Sequence, residues 1–417
     1  MSTLPNLQAI AGIAVFIALA LPFSERPRAI RWRLVAAAVA LQFAICFVLL
    51  RLPPVSRALA TLNHAVTALS AATRAGTAFV FGYLGGGATP FTVTNPAALT
   101  SFAFQMIPII IVFSALSALL WHWRLLPVVI RAIAWVFERT LGTRGPAGLA
   151  VTATVFIGQV EAPLLVRPYI ARMSRYELLL LMTAGMSMIA GSMMVVYAAM
   201  LAGQLENMLS QLLTKSLMSV PAAILFAHLL LPEETEAVSD GEPGRLYASS
   251  MDALTRGTAD GLAIWLNVLA ILLVLVALVA LVNQLLGLLP AVGGAAFSLE
   301  RLAGWVFAPL AWLMGVPWHE ATIAGALLGL KTVLNEFIAY QRLAELGPAV
   351  LSDRSRLVVI YALCGFANFA SMGIQISGIA VMAPERRGDL NSLALRSLYA
   401  ATLASCMTGA IAGLIAV

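Results

Sequence analysis

The sequence predicts an all-α polytopic membrane protein with about eight transmembrane helices and two re-entrant hairpins in an inverted repeat. Of its 417 residues, 61% are hydrophobic and only 11% are charged, whereas soluble domains carry about a quarter charged residues. A bilayer core about 30 Å thick requires about 20 apolar residues per spanning helix. Eight apolar runs approach that length: 7–23, 34–50, 102–121, 178–201, 213–231, 262–286, 357–376 and 393–417.

Two shorter apolar segments, 151–173 and 325–343, are each interrupted by a glutamate, Glu161 in the first and Glu336 in the second. Apolar segments of intermediate length are more often re-entrant or interfacial than spanning. A carboxylate in hydrocarbon costs about 2.5–3.5 kcal/mol on insertion scales, so each glutamate must face a partner, water or a ligand. A structural alternative is that they cap the hairpin tips or pair with Lys331 and an arginine. We favour a functional role.

The sequence around each glutamate follows the same plan. "GQVEAP" is followed by a polar turn and "LLLMTAGMSMIAGSMM", and "VLNEFIAY" is followed by a polar turn and "VVIYALCGFANFASMG", as expected for an inverted repeat. Small and polar residues should interrupt the two spans around 185–192 and 365–371. Non-helical backbone at that depth is tolerated only where it lines an enclosed or watery cavity. A binding site should therefore lie where the two hairpins and the two interrupted spans converge.

The plan divides the chain into four segments. We expect N-terminal helices with an interfacial helix as a scaffold, a first repeat with hairpin 1, a loop with a linking transmembrane helix, and a second repeat with hairpin 2. The one long polar stretch, "EETEAVSDGEPG", is best interpreted as the loop that joins the two halves. The four segments cover residues 1–120, 121–232, 233–290 and 291–417.

The basic residues indicate an orientation in the membrane. The loops at 24–33 and 383–396 carry seven arginines and should be cytoplasmic. Counting spans from them places both termini outside, in the periplasm. The net charge of +6 is then explained by loop arginines, and no nucleic-acid partner is expected. The first apolar run lacks a preceding basic region, so we expect a retained span and not a signal peptide.

The residue types that carry chemistry argue against an enzyme. The three cysteines lie within apolar runs without disulfide or zinc-site spacing, so no cofactor is expected. His319 and Glu320 begin an H-E-x-x-H pattern that Ile323 breaks. A passive channel would place rings of charge or carbonyls on a symmetry axis, whereas the acidic hairpins pair within one chain.

Four motifs, in order and at plausible spacing, resemble the concentrative nucleoside transporter family. They are "GQVEAPLLVRPYIARMSR", "MTAGMSMIAGS", "VLNEFIAY" and "ALCGFANFASMGIQISGI", supported by "FVFGYLGG". The resemblance runs from about Gly76 to the C-terminus. It implies a homotrimer in the lipid of a bacterial inner membrane, in which each protomer imports nucleosides by cation symport. A transporter for another polar neutral solute is the alternative.

In that family the first hairpin and its neighbouring helix hold the base, and the second hairpin and its partner helix hold the ribose. The vicinal hydroxyls of a ribose suit an ionised carboxylate, which accepts two hydrogen bonds. The polar positions could instead supply interhelical hydrogen bonds, and the apolar ones could be ordinary core. The resemblance implies Gln159, Val160, Glu161 and Met193 for the base, and Glu336, Asn368 and Ser371 for the ribose, with Phe366 closing over the ligand.

The sodium site of the family is degenerate here. Its two side-chain ligands, an Asn and a Ser, correspond to Thr154 and Met188, and its two carbonyl ligands to Ile157 and Ile189. A thioether is a poor ligand for a hard cation. Val160 also stands where the family usually has Thr. We therefore favour a proton as coupling ion, with Glu161 or Glu336 as the titrating group because burial disfavours the charged form; sodium is the alternative.

Overall fold

The computed structural model describes residues 3–94, 99, 101–143, 145–201, 204–205, 207–232, 246–290, 296–347 and 349–415. Over these ranges the chain forms α-helices, short 3-10 turns and one π-helical turn, and no β-strand. The predicted all-α class is confirmed. The polar loop predicted between the two halves falls largely on 233–245, which lie outside the described ranges.

The N-terminal part consists of long helices without a hairpin. They are α1 (Thr3–Ala20), α2 (Trp32–Arg51), α3 (Pro53–Phe81) and α4 (Ile109–His122). α3 covers the segment in which the sequence predicts an interfacial helix. It begins at Pro53, and proline suits the first helical position because its missing N–H has no intrahelical partner there. Gly82 follows its last residue, and the φ of +58° at this position favours glycine.

The first half continues with a pair of helices joined by a tight turn, followed by a helix that is interrupted by a break. Its helices are α5 (Leu125–Leu141), α6 (Gly145–Ile157), α7 (Glu161–Leu164), α8 (Arg167–Ile170), α9 (Arg175–Ser187), α10 (Gly191–Met200) and α11 (Met208–Leu230). We call α6, residues 158–160 and α7 hairpin 1. The sequence stretch that predicted a re-entrant hairpin is thus a helix–turn–helix.

The second half repeats this order of elements. Its helices are α12 (Ser250–Leu286), α13 (Leu299–Leu313), α14 (Trp318–Val333), α15 (Glu336–Glu345), α16 (Asp353–Leu363), α17 (Phe369–Met382) and α18 (Arg387–Ile415). We call α14, residues 334–335 and α15 hairpin 2. Each half therefore runs through an amphipathic helix, a hairpin, a broken helix and a long helix, so the repeat includes more elements than the sequence motifs alone indicated.

α12 is the longest helix and packs along α4. It has 37 residues, and its charged residues, Asp252, Arg256 and Asp260, all lie in its first three turns. Large apolar side chains further along, such as Leu273 and Val276, are exposed. An apolar helix that leaves this face uncovered by its own chain requires a non-aqueous surrounding or a partner.

Seven helical stretches in the described ranges are long and apolar enough to cross a membrane. They match seven of the eight predicted runs. The eighth, at 357–376, is divided between α16 and α17, in agreement with the interruption predicted around 365–371. Mean hydropathy cannot reveal such a division, since both pieces and the residues between them are apolar.

Two breaks interrupt the paired spans within the predicted ranges. The first break, residues 188–190, follows α9, and Met188 and Ala190 take extended backbone with ψ of 171° and 148°. The second break, residues 364–368, contains Gly365 with φ +143°. A helix that ends inside the protein leaves carbonyl groups without intrahelical partners, so each break must be satisfied by neighbouring groups.

The two breaks contact each other. The backbone N–H of Phe366 in the second break donates to the carbonyl of Met188 in the first, at 3.3 Å. Two buried lysines serve the adjoining helix ends: Lys215 of α11 donates to the carbonyl of Ser187, and Lys331 of α14 donates to the carbonyl of Ala362 at 2.8 Å. A positive group is favourable at the negative end of the helix dipole.

Gly365→Ala should destabilise the folded protein. A Cβ at this position would lie 2.7 Å from the carbonyl oxygen of Ser187 and 3.1 Å from Nζ of Lys215. The positive φ alone costs a non-glycine residue about 1–3 kcal/mol. Thermal unfolding of detergent-solubilised protein should show a clearly lowered midpoint.

Gly373→Ala is the matched control in the neighbouring helix. A Cβ there meets nothing within 4 Å, and alanine favours an exposed helix interior by up to about 1 kcal/mol relative to glycine. Its midpoint should be unchanged or raised. Equal midpoints for the two variants would contradict the tight contact at the second break.

Candidate functional site

The turn of hairpin 1 is shaped by a glycine. Gly158 has φ +95°, and a Cβ there would lie 2.6 Å from Oε2 of Glu161. The glutamate carboxylate thus folds back over the turn, and its backbone begins α7. Gln159 and Val160 occupy the tip between the two helices. Glycine is required here for both its backbone conformation and its lack of a side chain.

Hairpin 2 places its glutamate in the same way. Asn335 caps α15, with its Oδ1 accepting from the N–H of Ile338 at 3.0 Å. Glu336 is then the first residue of the helix, as Glu161 is in α7. Carboxylates are favourable in the first helical turn because the N-terminal end of the dipole is positive. Both hairpins therefore present a glutamate from a helix start.

Glu336 is 4% exposed, and both of its carboxylate oxygens accept hydrogen bonds. Tyr197 Oη donates to Oε1 at 2.7 Å, and Asn368 Nδ2 donates to Oε2 at 2.9 Å. Asn368 Oδ1 also accepts from the N–H of Ser371 at 2.7 Å and so caps α17. We call Tyr197, Glu336, Asn368 and Ser371 the Glu336 cluster. It joins α10, hairpin 2 and the second break.

Tyr197 was not predicted from the sequence. It follows Met193, a predicted site residue, by four positions in α10, and residues at that spacing share one face of a helix. This spacing was the available signal. The structural alternative for Glu336, pairing with Lys331, is replaced by these bonds, since Lys331 donates to the carbonyl of Ala362.

A cavity of about 520 Å³ opens beside the tip of hairpin 1. This is within the range of about 300–1,000 Å³ that is usual for small-ligand pockets. Its walls come from hairpin 1, α4, α10 and the first turns of α12. Six predicted positions line it: Ile157, Gln159, Val160, Glu161, Met193 and Phe366.

Glu336, Asn368 and Ser371 are not among the described residues that line this cavity. Phe366 connects the two groups, because it lies on the cavity wall and its carbonyl accepts from the N–H of Asn368 at 2.8 Å. The structure therefore brings the predicted positions together as two adjoining groups, with Phe366 at their boundary. The side chain of Glu161 is exposed and faces the cavity, whereas that of Glu336 is buried.

The four degenerate sodium-site positions lie where α6 meets the first break. The side-chain hydroxyl of Thr154 is buried and donates to the carbonyl of Ala150 at 2.9 Å. The carbonyl of Met188 accepts from Phe366. Ile189 is buried, and Ile157 lines the cavity.

Gln375 of α17 is a second polar residue that the sequence did not single out. It is fully buried, and neither polar atom of its side-chain amide has a hydrogen-bond partner. A Cβ on Gly185 would lie 2.1 Å from Nε2 of Gln375 and 3.0 Å from the Cβ of Gln159, so both glutamines lie next to this glycine. Oε1 of Gln159 is also without a partner. Gln375 follows Ser371 by one helical turn, which was the signal in the sequence.

Three family models match the chain. "Na+ dependent nucleoside transporter N-terminus" matches residues 11–84, "Nucleoside recognition" matches 103–204, and "Na+ dependent nucleoside transporter C-terminus" matches 211–413. The last match alone covers both the second break and hairpin 2.

Relatives with known sequences and structures agree over nearly the whole chain. The chain is 37% identical to "Uncharacterized transporter YutK" of Bacillus subtilis, covering 98% of this chain and 99% of that protein. It is 34% identical to mouse "Sodium/nucleoside cotransporter 1", covering 98% of this chain and 64% of that protein.

The fold also matches a solved structure. CNTnw "in an inward-facing substrate-bound state" superposes with a TM-score of 0.89 at 36% identity, covering 99% of this chain and 100% of that one. These relatives are transporters and not enzymes. The chain is therefore a multi-pass membrane protein that belongs to the concentrative nucleoside transporter family.

Proposed function

We propose that this protein imports nucleosides across a bacterial inner membrane by cation symport, with a proton as the favoured coupling ion. The observation that carries the proposal is the Glu336 cluster beside a cavity of nucleoside size. A buried carboxylate held by two neutral donors, Tyr197 and Asn368, is a costly arrangement in a membrane. Recognition of a polar ligand accounts for it.

The Glu336 cluster would bind the ribose. Each carboxylate oxygen has capacity for more than one hydrogen bond, so Glu336 can accept from ribose hydroxyls while it keeps its bonds to the protein. Ser371 adds a hydroxyl one turn further along α17. Phe366 must move aside for a ligand in the cavity to reach this cluster, and its ring would then cover the ligand.

The tip of hairpin 1 would bind the base. Gln159, Val160 and Glu161 line the cavity together with Met193. Oε1 of Gln159 lacks a protein partner, which leaves the amide free to pair with a donor on a base edge. Glu161 offers a second acceptor, and the apolar side chains can pack on the ring.

Proton coupling is supported by the poor donor set at the degenerate sodium site. Met188 offers a thioether, so of the two side-chain positions only Thr154, whose hydroxyl donates to the carbonyl of Ala150, has an oxygen. Hard cations prefer several oxygen ligands. Glu161 or Glu336 would then carry the proton. Sodium coupling remains the second candidate, because the matching family models are described as Na+ dependent.

The remaining parts of the proposal rest on the family, on the arginines of the loops and on the sequence repeat. The protein would assemble as a homotrimer in lipid, with both termini in the periplasm and the hairpins entering the bilayer from opposite sides. Segments 1–120, 121–232, 233–290 and 291–417 would act as scaffold, first repeat, linker and second repeat. The exposed apolar face of α12 is suited to lipid or to a second copy.

Glu336→Gln should abolish uridine binding and uptake, because an amide offers only one acceptor oxygen and introduces a donor toward Tyr197 and Asn368. Uptake of labelled uridine into proteoliposomes measures the effect, and gel filtration checks assembly. Glu345→Gln is the matched control: Glu345 lies on the same helix, exposed and paired with Arg342, and its variant should transport normally. Normal uridine uptake by Glu336→Gln would exclude the ribose role.

Gln159→Ala should change the order of preference among nucleosides. The side-chain amide discriminates donors from acceptors on the base edge, and each lost hydrogen bond to a neutral group is worth about 0.5–1.5 kcal/mol. Competition of uridine uptake by unlabelled cytidine, adenosine and inosine measures the change. An equal loss of affinity for all four nucleosides would indicate a structural role only.

Uptake should follow a proton gradient imposed across proteoliposomes and should not respond to a sodium gradient. The two gradients are imposed separately at equal ionic strength, since salt itself screens charge. Accumulation driven by sodium with no effect of the proton gradient would make the sodium-coupled alternative correct.

A further inference from the structure

Lys215 is a buried cation that the proposed transport chemistry does not use. It lies on α11, its side chain is fully buried, and its Nζ donates to the carbonyl of Ser187, the last residue of α9. A lysine in the apolar interior is costly unless it is paired with strong acceptors. The carbonyls at the end of α9 are such acceptors, because the break removes their intrahelical partners.

The location of Lys215 coincides with the degenerate sodium site. Ser187 directly precedes Met188, and α11 packs against both α9 and α6, which carries Thr154. A Cβ on Gly365 would lie 3.1 Å from Nζ, so the lysine reaches the point where the two breaks meet. The positive charge thus lies at the first break itself.

The electrostatic surroundings also suit a fixed positive charge. The titratable groups that act on Lys215 from neighbouring helices are Cys364 at the second break, Cys406 of α18 and Lys331 of α14. None of these three is a carboxylate, so carbonyl dipoles and the negative end of α9 supply the compensation. A second cation at the same place would be repelled by Lys215.

We propose that the side-chain ammonium of Lys215 replaces a bound metal cation at the first break, and that it excludes sodium from this site. The break is therefore held in its binding-competent form by a charge that belongs to the chain. One consequence of this inference, that transport is independent of sodium, rests on the proposed symport. The exclusion of sodium can be tested without any nucleoside.

The first test uses the wild-type protein in detergent. A ligand that binds only the folded state raises the unfolding midpoint as its concentration increases. We expect sodium chloride and N-methyl-D-glucamine chloride to give the same midpoint at equal ionic strength. A saturable rise that is specific to sodium would overturn the proposal. Failure of uridine to bind would instead contradict the proposed function and leave this measurement valid.

The second test rebuilds oxygen ligands around the break. Thr154→Asn with Met188→Ser supplies side-chain oxygens that suit sodium, yet we expect no sodium-specific shift while Lys215 is present. Adding Lys215→Ala should produce that shift. It should also make uridine affinity rise with sodium, by about 5- to 150-fold if the coupling is of ordinary size.

Lys331→Ala in the Thr154→Asn, Met188→Ser background is the matched control. It removes the other buried lysine, which serves the end of α16, and should not produce a sodium response. A sodium-specific shift in any variant that retains Lys215 would overturn the proposal. So would the lack of a sodium-specific shift in a folded Thr154→Asn, Met188→Ser, Lys215→Ala variant. Circular dichroism establishes whether each variant is folded. If a variant does not fold, the sodium titration of the wild-type protein decides the proposal.

Discussion

The contact between the two breaks is the constraint on which the rest of the structure depends. Two helices end in the interior of the protein. A hydrogen bond from the Phe366 N–H to the Met188 carbonyl joins the non-helical backbone of one break to that of the other. Lys215 and Lys331 donate hydrogen bonds to carbonyl groups at the ends of α9 and α16 that the junction leaves without a partner. Without these partners, several backbone groups would be buried unpaired, each costing about as much as a lost hydrogen bond. The cavity and the Glu336 cluster both lie directly beside the junction.

Asn368 shows how closely binding and folding are connected at this junction. One end of its side chain caps α17 and the other donates to Glu336. The same residue thus begins a helix and orients a carboxylate, so a ligand bound at Glu336, as proposed, would act directly on the second break. Tyr197 provides a similar connection from α10. The polar residues of the site are therefore structural partners of one another even without ligand.

The sequence predicted the class of fold and the general position of the breaks, because apolar length and small polar residues are local properties. It predicted Glu336 because a carboxylate in an apolar run is costly wherever the run lies. It did not reveal Tyr197, Gln375 or Lys215, since their roles depend on partners more than a hundred positions away or on neighbouring helices. The division of 357–376 was predicted from its small and polar residues, but the contact of this break with Met188 was not, because hydropathy does not report it.

The length of α12 has a consequence for the surrounding lipid. Its uncharged part, after Asp260, comprises roughly 26 residues and extends about 39 Å at 1.5 Å per residue, whereas an average hydrocarbon core is about 30 Å thick. The difference is accommodated by tilt or by local thickening of the bilayer, at a modest cost for each ångström of mismatch. Acyl-chain length should therefore influence how this helix is inclined, and through its packing on α4 the width of the cavity mouth.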